Sequence, residues 1–355
     1  MVIFRYCITV FVVFMVGFFL LCFPEKTTSG IKQGLEISAE VLIPTLFPFL
    51  VFSSLIVNSN LCMHLSSLFG RITKLLFGQS EHCFTVFIMS VIGGYPVGGS
   101  MVNSLYEKGD ISRDEGQRML LFCFNAAPSF VISTVGYGML KSQKLGLIIN
   151  ISVILSSLIV GILTRFIKSD KQEYLKSSTG KNSNENFSQT LINSVSQSVN
   201  SMLMICTWVI LFTCIINLSE IFTDSKIIRM LICSVCEVTT GCRNLCSDVP
   251  LPVIAGIISF GGLCTHLQVM SAIIKLKLRY LHFFTSRIIG AALSMVICQG
   301  IINIFPQAAQ VVALGEKPIY TEYTTSFTIT VALIVLCALM ILGDNFTFII
   351  ENNKH

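Results

Sequence analysis

The chain has 355 residues, of which 53% are hydrophobic and only 12% carry a charge. Because soluble domains contain about 25% charged residues, this composition excludes an ordinary soluble fold and predicts a multi-pass helical protein of the lipid bilayer. The net charge of +5 is small, and the basic residues lie mainly between apolar runs. They are therefore interpreted as orientation signals, and no nucleic-acid partner is expected.

The fourteen cysteines lie mostly within apolar runs, where cysteine behaves as a small hydrophobic residue. The densest group is Cys233, Cys236, Cys242 and Cys246, whose unequal spacing beside a membrane segment argues against zinc. The sequence also lacks a Gly-x-x-x-x-Gly-Lys phosphate loop, which excludes a built-in ATPase. We therefore predict no catalytic residue, no metal and no cofactor, and expect that the protein is not an enzyme.

Residues 1–29 are predicted to hold an N-terminal transmembrane span, formed by the apolar run Cys7–Phe23. No small-residue cleavage site follows this run, so we interpret it as an uncleaved span. Residues 30–167 are predicted to form a first membrane repeat. Its first span is Gly34–Val57, which begins with polar residues and is expected to kink at the motif Pro44-Thr-Leu-Phe-Pro48.

The next elements are an amphipathic helix and a glycine-rich apolar run. Leu61–Phe77 has apolar residues at steps of three and four, which predicts a helix lying in the membrane interface. The run Cys83–Leu105 then contains Gly93-Gly-Tyr-Pro-Val-Gly-Gly99. Four glycines and a proline in seven residues cannot continue a regular helix. In a membrane, broken backbone is tolerated only where it is buried in protein or lines a wet cavity. The segment is therefore a candidate substrate or ion site, and the alternative is a close helix–helix contact.

The first half ends with a capped helix and a plain span. Ser112, followed by Glu115, forms a capping-box pattern that starts a helix continuing into the apolar run Met119–Leu140. Asn125 interrupts the apolar face of that run, and Leu145–Ile167 is predicted to be a regular span.

Residues 168–186 are a polar linker, predicted to be cytoplasmic and too hydrophilic to pack. Residues 187–355 form the predicted second repeat. A polar-fronted helix leads into Met202–Leu218, and Pro250–Ile274 is a span broken by Gly261-Gly262. The remaining predicted spans are Phe283–Ile304 and Phe327–Leu342.

The order of elements repeats, so that Gly93-Gly94 in the first half corresponds to Gly261-Gly262 in the second. Corresponding broken segments in two halves are typical of the central site of a transporter. The predicted fold is an all-α integral membrane protein with about eight or nine hydrophobic spans in two pseudo-repeats, each with a Gly-broken or re-entrant helix.

Two topologies fit the distribution of basic residues. In one, nine full spans place the N-terminus outside; in the other, Cys83–Leu105 is a re-entrant hairpin and the N-terminus is inside. Both place the linker at 168–186 and a loop from Lys275 to Arg287 in the cytoplasm.

Broken helices expose half-helix N-termini whose free N–H groups attract a small carboxylate. Asn125 and Gln268 are candidates for neutral hydrogen bonds, and Tyr95 for stacking on a ring or for anchoring at the interface. Glu81 and Glu237 are candidates for proton or ion coupling, the alternative being solvated interfacial carboxylates. The candidate substrate-binding residues are Gly93, Gly94, Tyr95, Pro96, Gly98, Gly99, Asn125, Gly261, Gly262 and Gln268.

Five motifs carry a resemblance to a known family: Pro44-Thr-Leu-Phe-Pro48, Gly93-Gly-Tyr-Pro-Val-Gly-Gly99, Leu105-Tyr-Glu-Lys-Gly109, Phe122-Cys-Phe-Asn-Ala-Ala-Pro-Ser129 and Glu237-Val-Thr-Thr-Gly241. Over roughly residues 30 to 300, the chain resembles sporulation integral membrane proteins of the YlbJ type. These carry the nucleoside recognition or Gate domain, so the resemblance implies Gate-like repeats at 30–167 and 187–355.

The resemblance further implies a multi-pass protein of the bacterial cell membrane or the outer forespore membrane. There it is expected to act as a permease for a small organic anion, dipicolinate, during sporulation. A nucleoside or another small solute is the alternative cargo. A second alternative is a non-transporting membrane assembly protein for spore formation. The expected partners are an anionic small molecule, the lipid bilayer, and a second copy of the chain or other sporulation membrane proteins.

Overall fold

The structure is a computed structural model that describes residues 20–59, 61–166, 187–222, 225–246 and 249–305, together with Phe14, Gly17 and Phe18. Within these residues all regular secondary structure is helical, which confirms the all-α class. Three predicted segments lie wholly or mostly outside the described residues: the first span Cys7–Phe23, the linker 168–186 and the last span Phe327–Leu342.

The first long helical segment is continuous from Pro24 to Asn58. It consists of α1 (Pro24–Ile37), a π-helical turn (Ser38–Leu42) and α2 (Ile43–Asn58). The π turn ends two residues before Pro44, whose backbone nitrogen has no hydrogen and so cannot donate to the preceding turn. The segment starts ten residues before Gly34, the predicted first residue of this span. A search for apolar runs does not detect α1, because many of its residues are polar.

The glycine-rich run forms a helical hairpin. α4 (His82–Gly93) and α5 (Tyr95–Lys108) are separated by Gly94, whose φ of 92° is a conformation that favours glycine. A Cβ atom built on Gly98 would lie 2.8 Å from the Cβ of Ser90, so the two arms lie side by side. With 12 and 14 residues, the arms are about 18 and 21 Å long, shorter than the roughly 30 Å hydrocarbon core. This is the geometry of the predicted hairpin rather than that of a full span.

The rest of the first half differs from the prediction in one place. The predicted run Met119–Leu140 is not one helix, because residues 121–127 are irregular and Pro128 precedes a π-helical segment. The Ser112 N-cap of the predicted capping box is confirmed, since its hydroxyl accepts a hydrogen bond from the backbone N–H of Glu115. The Glu115 carboxylate accepts instead from the backbone N–H of Ser80, at 2.6 Å. The elements are α3 (Leu61–Leu76), α6 (Arg113–Leu120), the π-helix Ser129–Met139 and α7 (Gln143–Thr164).

The second half also contains two breaks, at Glu237 and at Gly261. The predicted loop from Lys275 to Arg287 is too long, because a helix already begins at Tyr280 and includes Arg287. Phe283, in the first turn of this helix, is buried in the core. The elements are α8 (Phe187–Ser219), α9 (Lys226–Cys236), α10 (Val238–Leu245), α11 (Leu251–Phe260), α12 (Gly262–Ala272), a 3₁₀ turn (Ile274–Leu276) and α13 (Tyr280–Ile304).

Helix packing joins the two halves closely. α1 and α2 run along α8, α7 packs against α11 and α13, and α5 packs against α12. The closest approach uses Gly30 and Gly34, where added Cβ atoms would lie 2.6 Å from the backbone Cα atoms of Cys214 and Ile210. Small residues four apart allow two helix backbones to approach in this way.

Five helical segments among the described residues are long and apolar enough to cross a membrane. This confirms an integral membrane protein, whereas the predicted count of eight or nine spans and the internal repeat stay predictions. The five segments are Pro24–Asn58, Gln143–Thr164, Phe187–Ser219, Leu251–Ala272, which includes the break at Gly261, and Tyr280–Ile304.

Candidate functional site

A buried cavity of about 40 Å³ lies where the broken segments meet. A water molecule needs roughly 10–15 Å³ by this measure, so the cavity has room for about three waters. It is bounded by the start of α5, by α2 and α8, by the break before α10, and by α12. The lining residues are Leu42, Thr45, Leu46, Gly94, Tyr95, Pro96, Ala127, Phe130, Ile205, Val209, Glu237, Val238, Thr239, Thr265 and Gln268.

Glu237 is the charged residue among those lining residues, and its exposed fraction is only 1%. It ends α9 and caps α10: its Oε1 accepts from the backbone N–H of Thr239 at 2.9 Å, and its Oε2 from that of Thr240 at 2.6 Å. Two N–H donors at a helix N-terminus stabilise an ionised carboxylate. The cavity wall therefore contains a carboxyl group whose two oxygens both accept hydrogen bonds from the protein backbone.

The N-termini of three short helices converge here. α5 begins at Tyr95 and α10 at Val238, both on the cavity wall. α12 begins at Gly262, where a Cβ atom would lie 3.2 Å from the backbone nitrogen of Val238. Helix N-termini carry partial positive charge, so all three favour an anion at this place. Glu237 already supplies one.

Tyr95 lies in the protein interior, with an exposed fraction of 7%, so it is not an interface anchor. Its hydroxyl donates to the carbonyl oxygen of Ile258, which joins α5 to α11. Its ring lies 4.6 Å, centroid to centroid, from that of Phe124. On the opposite wall, the Gln268 amide donates to Cys264.

The structure therefore brings five of the predicted residues together on one cavity: Gly94, Tyr95, Pro96, Glu237 and Gln268. They come from both halves of the chain. The sequence indicated each as a broken or polar position in an apolar run, but not that the Glu237 break and the Gly94 break face each other.

Other predicted glycines pack helices and do not line the cavity. Added Cβ atoms would lie 2.7 Å from the Val97 side chain at Gly93 and 2.8 Å from that of Val269 at Gly99, and Gly98 lies against the Cys123 carbonyl. For these three residues the structure favours the alternative prediction of close helix contact.

The two glycines of the second-half break also lie in close contacts. A Cβ atom on Gly261 would lie 2.7 Å from the Phe124 ring, and one on Gly262 would lie 3.2 Å from the Cys236 carbonyl oxygen. Both have positive φ, which explains why glycine stands at this turn.

Asn125 braces the backbone near the cavity. Its amide nitrogen donates to the Ser90 hydroxyl at 2.9 Å and to the Phe122 carbonyl at 3.2 Å. Its side chain is fully buried and does not line the cavity.

Glu81 is not at the site. Its side chain is exposed at the start of α4, against Gly70 of α3. Of the two acids predicted for proton or ion coupling, only Glu237 lies at the cavity.

Arg287 is the residue that sequence reasoning missed. It is 2% exposed, and its guanidinium donates to the carbonyl oxygens of Phe124, at 2.9 Å, and of Leu121. It also lies 5.0 Å from the centroid of the Phe124 ring and 5.6 Å from that of Phe283. Carbonyl groups and aromatic faces thus stabilise its charge and tie α13 to the irregular segment of the first half. An arginine following the aromatic run that starts at Tyr280 was the available signal.

On one side of the cavity, α2, α5 and α8 are joined by polar side chains. The Gln197 amide oxygen accepts from the Ser54 hydroxyl at 2.7 Å and from the Asn58 amide at 3.3 Å, and its nitrogen donates to Ser104 at 3.4 Å. These residues lie eight to thirteen positions along their helices from the cavity residues, about 12 to 20 Å away. The network joins the three helices on this side of the cavity.

The opposite side has an open polar groove of about 780 Å³. It lies between α1 and the end of α10, where Arg243 is four residues beyond Thr239 of the cavity. The lining residues are Pro24, Glu25, Thr28, Ser29, Lys32, Gln33, Glu36 and Arg243.

These features define a multi-pass helical membrane protein with broken helices around a buried, mostly apolar cavity whose wall contains one carboxyl group. The chain is 23% identical, over 340 residues, to the sporulation integral membrane protein YlbJ of Bacillus subtilis (strain 168). The alignment covers 84% of this chain and 80% of the relative, and it confirms the resemblance to the YlbJ type. No family model matches the chain, and no solved structure matches it.

Proposed function

We propose that the chain is a permease for a small organic anion, with its binding site at the cavity between Gly94 and Glu237. The observation that carries this proposal is the meeting of three short-helix N-termini at one buried, mostly apolar cavity that contains a few polar side chains. A protein that only packs helices has no need of broken backbone around a buried cavity, whereas discontinuous helices are typical of transport sites.

The order of elements in the two halves supports this proposal. The corresponding breaks are Gly94 and Glu237, rather than the two glycine pairs Gly93-Gly94 and Gly261-Gly262. Each half has a long helix and, later, two short helices that meet at one residue, Gly94 or Glu237; in the first half α3 lies between the long helix and these two. A broken helix and a second long helix follow, with the breaks at 121–127 and at Gly261. We propose that these are the two Gate-like repeats.

For the cargo, we propose dipicolinate. Three converging helix N-termini favour a carboxylate. The name of the Bacillus subtilis relative supports a role in sporulation, and hence a place in the cell membrane or the outer forespore membrane. A nucleoside is the second candidate, because the Gln268 amide and the threonine hydroxyls of the wall suit a neutral polar solute.

The cavity must widen during transport, because about 40 Å³ is too small for a ring bearing two carboxylates. The groove at Arg243 offers the shorter route from solvent. The network at Gln197 would have to separate for the cavity to open on the other side.

The test is uptake of labelled dipicolinate, with uridine in parallel, into liposomes that contain the purified protein. Thr45→Leu fills the cavity, and Thr207→Leu is its matched control. Both hydroxyls donate to the carbonyl four residues earlier, at 2.6 and 2.8 Å, but Thr45 lines the cavity and Thr207 is exposed. We expect dipicolinate uptake in wild type and Thr207→Leu and a loss of at least tenfold in Thr45→Leu.

Each alternative has its own result. Uptake of uridine alone would keep the permease and replace the cargo. If a folded protein moved neither compound, the non-transporting assembly role would be the better account. Equal uptake by both threonine variants would place the route elsewhere.

A further inference from the structure

We propose that Glu237 is a built-in substitute for the carboxylate of the substrate, and that a proton on Glu237 admits the anion. The inference rests on the proposed function and adds its coupling chemistry. With Glu237 ionised, the backbone N–H groups of Thr239 and Thr240 are occupied by its own side chain. A second carboxylate would then meet a negative charge, and these two N–H donors would already be taken.

Protonation of Glu237 changes both its charge and its ability to accept hydrogen bonds. A proton taken from water binds one oxygen of Glu237, removes the negative charge and leaves a poor acceptor for two N–H donors. The N–H groups of Thr239 and Thr240 then become available to an incoming carboxylate. When the proton leaves, the Glu237 carboxylate regains its two donors and displaces the anion, so that proton and anion move together.

Among the residues that line the described cavity, Glu237 is the group that can take up this proton. No second carboxylate and no lysine or arginine lines the described cavity. α2 and α8 face it with Thr45, Leu46, Ile205 and Val209. The titratable groups that interact electrostatically with Glu237 are Tyr95 of α5, Cys233 and Cys236 of α9, Cys242 of α10 and Cys264 of α12. Arg287 of α13 interacts with Tyr95.

The experiment measures equilibrium binding of dipicolinate to the purified protein between about pH 6 and pH 8, where the ligand stays ionised. For wild type, linkage to one proton predicts a dissociation constant that rises by up to about tenfold per pH unit. Glu237→Gln keeps the shape without the charge and should bind with one affinity across this range. Glu81→Gln, which removes an exposed acid outside the cavity, should behave as wild type.

A second measurement uses the wild-type protein alone and does not depend on whether a variant folds. In weakly buffered solution with a pH indicator, dipicolinate binding should take up as much as about one proton per protein at the upper end of the range. Binding without proton uptake, or the same pH dependence in Glu237→Gln, would overturn the role of Glu237 and leave the permease intact. No binding by wild type at any pH would instead contradict the proposed function.

Discussion

Gly98 is expected to stabilise the α4–α5 hairpin by allowing close packing, and its replacement by alanine tests that contact. The new Cβ would lie 2.8 Å from the Ser90 Cβ and even closer to the Cys123 carbonyl, which is backbone and cannot rotate away. Overpacking of this kind costs about 1–3 kcal/mol. Alanine offsets roughly 0.5–1 kcal/mol of that through its helix propensity. The net loss is therefore between about 0 and 2.5 kcal/mol.

Thermal unfolding of the purified protein in detergent measures this effect, with Gly300→Ala as the control. Gly300 also lies inside a helix, but nothing is within 4 Å of its added Cβ. The control should therefore be unchanged or more stable by up to about 1 kcal/mol. At about 2–4 °C per kcal/mol, Gly98→Ala should unfold several degrees below the control. Equal midpoints for the two variants would refute the hairpin contact.

Two further substitutions test the joints between the halves by the same unfolding assay. Gly34→Ala places a Cβ 2.6 Å from the Ile210 Cα and should cost about 1–3 kcal/mol, so a wild-type midpoint would contradict the close approach of α1 and α8. Arg287→Met leaves the carbonyls of Leu121 and Phe124 without this donor and should cost about 1–3 kcal/mol, with Arg287→Lys less affected; full stability of Arg287→Met would contradict the brace.

Local patterns predicted several features correctly, because they depend on neighbouring residues. The N-cap at Ser112 and the break at Gly94 are examples. α1 was missed because it contains many polar and charged residues and its main contacts are with α8. A local pattern cannot reveal a packing partner far along the chain.

The site was predicted in part for the same reason. Glu237 and Gly94 each stood out in sequence, but their shared cavity depends on the packing of α5 against α12 and of α10 beside α9. Arg287 was assigned to a loop because basic residues usually mark loops in membrane proteins. The carbonyl acceptors that allow its burial come from residues more than 160 positions away.

The most direct test of the central claim is an experimental structure of the protein with dipicolinate bound at about pH 6. The account predicts ligand density between Gly94 and Glu237, with a carboxylate near the N–H groups of Thr239 and Thr240. The cavity should then be larger than the present volume of about 40 Å³. Ligand density elsewhere in the protein, with the Glu237 cavity still closed, would contradict the claim that the broken helices form the transport site.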